Sequence, residues 1–193
     1  VTAYYAALGR LVSRVHAVEL EGYGYIAKGA GDQTSNAAHL EREIATNEEL
    51  ALPKEVLTRL PDAYAAAKEK LRPIEALPSV LCHGDITPDN AIVTGQGDIV
   101  LSDWDNAMAL NWAWDFATMT YWMALWNDRW LFLTCREVFL EHYRTAHPVA
   151  ALDAVGQAYH ALYGIRLMGY YEGTEQAGRV RDAWLALTGS WGL

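Results

Sequence analysis

Apolar residues recur at helical spacing up to Leu71, give way to short β-rich runs between Val80 and Ser102, and return to helical spacing after Asp105. That change and return of period constrains the fold more than any other feature of the chain. It predicts helices, one small β insertion, then helices again, an α+β fold that is mainly α-helical. The polar residues of the insertion are where chemistry is expected.

Tyr4, Leu8, Leu11, Val15 and Val18 share one helical face, and this first helix is expected to end before Gly22-Tyr23-Gly24. Lys28 to Asn36 reads as a surface loop. Its Gly29-Ala30-Gly31 does not make a nucleotide loop, because no strand precedes it and no Gly-Lys-Ser/Thr follows. Ser35 or Asn36 caps a second helix. Pro53 suits the first turn of a third, with Val56, Leu57, Leu60, Tyr64 and Leu71 inside, and Pro61 is expected to kink or divide it.

Val80 to Cys82 then reads as a strand, followed by a hairpin of Ala91–Thr94 and Ile99–Ser102 around Gly95-Gln96-Gly97. Six of the eight tryptophans lie between Trp104 and Trp130, and helical spacing continues through Val138, Leu140 and Tyr143 to Pro148. Two further helices are expected near Ala150–Tyr171 and Thr174–Leu187. No repeat is visible.

The chain has 193 residues, 52% hydrophobic and 20% charged, which suits a single domain over 1–193 or one lobe of a larger body. Fifteen Lys and Arg stand against 24 Asp and Glu, a formal charge of −9, so there is no basic footprint for nucleic acid or an anionic membrane. The balance points to a cation as charged partner.

Cys82 and Cys135 sit in apolar stretches without zinc-ligand spacing, which fits a reducing cytoplasm better than a disulfide scaffold. The opening run carries Arg10, Arg14 and His16 and begins at Val1, so it reads as an excised or processed piece rather than a signal peptide. Ala107 to Trp126 is long enough to span a bilayer, but it contains Asn111 and Asp115. A mid-bilayer Asp costs roughly 2.5–3.5 kcal/mol, so the segment reads as a buried aromatic region.

The insertion spells Leu81-Cys-His-Gly-Asp-Ile-Thr-Pro-Asp-Asn90, then the hairpin, then Asp103-Trp-Asp105. A carboxylate and an amide five residues apart on one loop, with a carboxylate at the far end of a hairpin, can converge on one point. Hard oxygen donors of this kind suit Mg²⁺ held together with substrate phosphates.

His83-Gly-Asp85-x4-Asn90 followed by Asp103-Trp-Asp105 resembles the aminoglycoside phosphotransferase and choline kinase family, small-molecule relatives of protein kinases. The likeness extends to Leu8-Gly-Arg-Leu-Val-Ser-Arg-Val-His16 and to Trp114-Asp115-Phe-Ala117, and so spans most of the chain. It implies the C-terminal lobe of a kinase-like fold. It further implies Asp85 as catalytic base, Asn90 and Asp103 as Mg²⁺ ligands, His83 as a brace of the loop and Asp115 as a buried carboxylate tying the next helix to it. ATP or GTP would be the donor, and the acceptor a hydroxyl of a small molecule.

Gly84 and Thr87 stand where common protein kinases carry Arg and Lys, which favours a small acceptor over a protein. Leu110-Asn-Trp112 replaces a frequent Gly-Asp-Pro, so no ligand role passes to Asn111. The glycine-rich strand pair, its Lys strand and partner Glu helix do not precede residue 1, so the resemblance implies a nucleotide-binding lobe carried elsewhere, for instance on a separate chain. The chain alone is expected to be weak or inactive.

Plainer roles stand beside these. His83 can be structural only, Asp105 is either a second metal contact or a loop-stabilising carboxylate, and the tryptophans are core unless Trp112, Trp126 or Trp130 lines an acceptor pocket. Asp89, Glu172 and Glu175 either meet ammonium groups of the acceptor or are solvated surface. An acceptor such as an aminoglycoside or cationic peptide antibiotic fits the charge. Choline, a sugar, homoserine or a macrolide, or a lobe that binds without turnover, are the rivals.

Overall fold

The computed structural model describes residues 1–48, 50–126, 129–143 and 152–192. Among them the order is α1 (Thr2–Val15), β1 (Tyr23–Ala27), β2 (Ala30–Gln33), α2 (Asn36–Glu48), α3 (Lys54–Leu71), β3 (Val80–Cys82), β4 (Ala91–Val93), β5 (Ile99–Leu101) and β6 (Met108–Leu110), followed by α4 (Ala113–Trp126), α5 (Arg129–His142), α6 (Leu152–Tyr170) and α7 (Glu175–Gly189). The expected α+β, mainly helical fold is therefore present. One apolar core joins the helices to the sheet: α1 packs on α5, and α6 packs on α3, α4 and α7.

Four strands form a sheet in the order β2-β1-β6-β3, and β4 and β5 form a separate antiparallel hairpin. Three of these strands, β1, β2 and β6, are absent from the sequence reading, and β1 does precede Gly29-Ala30-Gly31, where no strand was expected. The Lys28–Asn36 stretch is not a loop: β2 pairs with β1 through a two-residue turn in which Lys28 and Gly29 both take positive φ. Such a turn matches strand twist, and it lets a segment poor in β-formers pair. β6 pairs with β3 and β1, although it lies where helical spacing was expected to resume; its three residues are all buried, so they lack the alternation that marks a half-exposed strand.

α1 stops at Val15, earlier than expected, because His16 turns inward and is buried. Pro61 neither ends nor splits α3. It lies on the exposed face, where the carbonyl it leaves without a helix partner can meet water. Ser35 caps α2 by accepting the Ala38 N–H at 3.1 Å, and Thr174 caps α7. Among the described residues no helix is long and apolar enough to cross a membrane, and Cys82 and Cys135 are unpaired and buried.

Candidate active site

From β3 the chain enters a loop, makes a short 3₁₀ turn at Pro88–Asn90, and runs straight into the β4–β5 hairpin. The loop starts at a position only glycine can occupy. Gly84 has φ +86°, and a Cβ there would lie 1.9 Å from the Asn106 carbonyl oxygen.

Asp115, fully buried in the first turn of α4, holds this bend from beneath. Its Oδ2 accepts the His83 backbone N–H at 2.7 Å and its Oδ1 accepts that of Gly84 at 2.8 Å. Oδ2 also meets His16 Nε2 at 3.1 Å, and the other nitrogen of His16 meets the Tyr143 hydroxyl at 2.6 Å. Cys82 comes close enough to make a buried His16–Cys82–Asp115 group. Burial pushes its thiol well up, however, and the Asp115 oxygens are occupied by the loop, so this group is a hydrogen-bonded support.

The His83 ring lies across the loop. Its Nδ1 accepts the Asp85 N–H at 3.4 Å, which leaves Nε2 to donate to the Ser102 carbonyl at 2.9 Å. Trp104 packs edge-on against the same ring, centroids 4.6 Å apart. One buried imidazole thus joins the start of the loop to the end of β5.

Asp85 is half-buried, and both of its oxygens are engaged. Asn90 Nδ2 donates to Oδ2 at 3.1 Å and to the Asp85 carbonyl at 3.0 Å. The Tyr163 hydroxyl donates to Oδ1 at 2.8 Å and accepts the Trp122 indole N–H at 3.0 Å. Burial, and after it the Asp85 charge, push the Tyr163 phenol far above its ordinary range, so it stays a neutral donor.

Because Asn90 turns its amide nitrogen to Asp85, its side-chain oxygen is left as a hard donor. Asp103 follows Ser102, whose N–H bonds the Asn90 carbonyl at 2.9 Å, so the two side chains leave neighbouring backbone positions. Asp103 is exposed and takes φ +58°, a left-handed conformation that a β-strand would not adopt. Among the described residues no hydrogen bond or ion pair engages its carboxylate. An amide oxygen and an uncommitted carboxylate are the donors a Mg²⁺ ion prefers, so Asn90 and Asp103 fit that ion.

The remaining expected site residues are dispersed. Asp105 is exposed on the turn after Asp103, and Asp89 is exposed on the 3₁₀ turn. Trp112 is 1% exposed, tilted against Tyr143 in the core, whereas Trp130 is 73% exposed on α5. The side chain of Trp126 lies outside the described residues. Glu172 and Glu175 are exposed beyond α6, where Glu175 pairs with Arg179.

The sequence reading missed the partners supplied by α4 and α6. Tyr163 meets Asp85 from 78 residues away, and Trp122 on the neighbouring helix donates to Tyr163. Arg166, one turn after Tyr163, bonds the Asn106 side chain at 2.7 Å and lies over the Tyr25 ring. These residues sit in apolar helical stretches, so no local spacing marks them. A small apolar recess beside the loop, lined by Tyr4, Ile86, Pro88, Met119, Trp122 and Met123, also comes from segments remote in sequence.

A search of curated protein sequences finds no match. Solved structures do match. An aminoglycoside phosphotransferase, APH(4)-Ia, in its apo form aligns at TM-score 0.72 and 19% identity, over 98% of this chain and 65% of its own. The choline kinase LicA of Streptococcus pneumoniae aligns at 0.68 and 17%, over 98% and 64%. An ethanolamine kinase of Plasmodium vivax aligns at 0.65 and 14%, over 95% and 58%. At such identities the likeness is one of fold, and this chain spans roughly two thirds or less of each relative. The sequence model of the phosphotransferase enzyme family matches residues 1–152, which include α1, the Asp85 loop, the hairpin and Asp115, and the chain belongs to that family.

Proposed function

We propose that this chain carries the acceptor and metal half of a small-molecule kinase, which moves the terminal phosphoryl group of ATP or GTP to a hydroxyl on a cationic acceptor. The observation that supports it most is Asp85 held by donors on both oxygens, one of them Asn90, whose carbonyl accepts the N–H of the residue before Asp103.

In this reading Asp85 receives the proton of the acceptor hydroxyl as its oxygen bonds to the terminal phosphorus, and the bond from phosphorus to the bridging oxygen breaks to release the nucleoside diphosphate. Such transfer depends on positioning and charge neutralisation, so a fixed carboxylate suffices and no nucleophilic side chain is needed. Mg²⁺, held by Asn90 and Asp103, would neutralise phosphate charge when bound. His83 and Asp115 keep the loop in one shape. The net charge of −9 and the exposed Asp89 and Asp105 favour a cationic acceptor. Trp112 and Trp130 are not proposed as acceptor contacts, since one is in the core and the other on an outer helix face.

Relatives give the panel: structures of APH(4)-Ia include complexes with hygromycin B and nucleotide, and others are choline and ethanolamine kinases. The test is to join this chain to a nucleotide-binding lobe, incubate the two-lobed protein with Mg·ATP or Mg·GTP and hygromycin B, choline or ethanolamine, and follow the phosphate ester by phosphorus-31 NMR. Ester and nucleoside diphosphate formed in equal amounts, and lost in Asp85→Asn, support the reading. Transfer that survives Asp85→Asn overturns the assignment of the base.

A second reading is a lobe that binds acceptor without turnover. Equilibrium dialysis that finds acceptor bound, with no ester formed, would select it.

A further inference from the structure

We propose that Tyr163 is a positioning residue for phosphoryl transfer: its hydroxyl, held by Trp122, fixes the plane in which the Asp85 carboxylate meets the acceptor. The inference rests on the reading of Asp85 as the base.

Asp85 has two oxygens with different neighbours. Oδ2 faces Asn90, whose own oxygen is on the metal-binding side, and Oδ1 faces α6 through the Tyr163 hydroxyl. A carboxylate oxygen can accept two hydrogen bonds, so Oδ1 retains one lone pair after Tyr163 has taken the other. Oδ2 is crowded by the amide, which bonds the Asp85 carbonyl as well. The carboxylate is thereby pinned at both ends, with one lone pair left on each oxygen for a hydroxyl.

Tyr163 is itself fixed. Its oxygen accepts the Trp122 N–H, and its ring is held edge-on by Trp114 at 6.0 Å, Tyr121 at 5.5 Å and Trp122 at 6.4 Å. Those contacts come from α4, whose first turn also holds Asp115 beneath the loop. One helix therefore supports both the backbone of the loop and, through Tyr163, the carboxylate it presents. Positioning within a fraction of an ångström has large effects on rate in reactions of this kind.

Tyr163→Phe keeps the ring and removes the hydroxyl, and Tyr170→Phe, which removes the hydroxyl of an exposed tyrosine at the end of the same helix, is the control. The expected result is an acceptor-dependent kcat lowered about ten- to a hundredfold in Tyr163→Phe, with acceptor KM within about twofold, since a hydrogen bond to a charged group is lost. Tyr170→Phe should change neither. A crystal structure of Tyr163→Phe should show the Asp85 carboxylate rotated by more than about 30°. Trp122→Phe, which leaves the phenol without its donor, should lower kcat a few-fold and guards against a Tyr163 variant that fails to fold.

Turnover unchanged in Tyr163→Phe, or a carboxylate in the same plane as in the parent, overturns the inference. Loss through KM alone also overturns it, because that marks a binding contact. If the parent transfers phosphate to none of the panel, the proposed function fails, and the orientation of Asp85 in the two crystal structures still decides the role of Tyr163.

Discussion

The loop and hairpin from Cys82 to Asn106 differ in kind from the aromatic wall that α4 and α6 raise beside them. The first is short, polar and partly exposed, and its donors lie within a few residues of one another. The second is apolar and buried, and it reaches Asp85 through a single tyrosine hydroxyl. The contrast teaches that the groups proposed to touch substrate and metal are local in sequence, whereas the groups that fix their direction are not. Removing a member of the first set should strike turnover, and removing a member of the second should strike stability or orientation.

The largest effect is expected from Asp85→Asn, which should lower phosphoryl transfer by about 10²–10⁴-fold, the usual contribution of a general base, while its urea midpoint stays near that of the parent. A comparable loss of stability would show that the loop, too, is structural, and would dissolve the contrast. Asp115→Ala belongs to the other side. It leaves the His83 and Gly84 N–H groups and His16 without their carboxylate, at a cost of about 3–5 kcal/mol in urea unfolding.

Acid offers a smaller, graded test away from the loop. Burial, and next the charge of Arg42, lower His39 to about 4 from an ordinary value near 6.5. The unfolded chain therefore takes up the proton first. The stability due to neutral His39 is complete above about pH 6.5 and is lost as pH falls toward 4. In His39→Gln the decline of the urea midpoint between pH 7 and 5 should be shallower than in the parent. The smallest effect is expected from Trp130→Ala, within about 0.5 kcal/mol, because that side chain is exposed.

What could be read in advance follows the same division. The spacing of Asp85, Asn90 and Asp103 was legible because a hairpin returns residues close in sequence to one end, and the helices flanking it announced themselves by period. β2 was hidden because its residues, Ala30 to Gln33, are poor β-formers that pair by virtue of their turn. β6 was hidden because a fully buried three-residue strand has no alternation to detect. Trp112 and Trp130 look alike in sequence, yet one is enclosed against Tyr143 and the other faces outward. Tyr163 stood on no motif at all, since its role exists only where α6 meets the loop.

The tether from His16 to Asp115 also dictates an order of events during synthesis. α1 leaves the ribosome well before the carboxylate that receives His16, which follows 99 residues later, and α5, against which α1 packs, follows later still. Until then the apolar stripe of α1 has no native surface to cover it, and the backbone of His83 and Gly84 has no anchor. Over that stretch of translation the nascent chain carries a sticky helix, the kind of exposure that chaperones answer. The loop proposed to do the chemistry consequently acquires its shape only after α4 has been made.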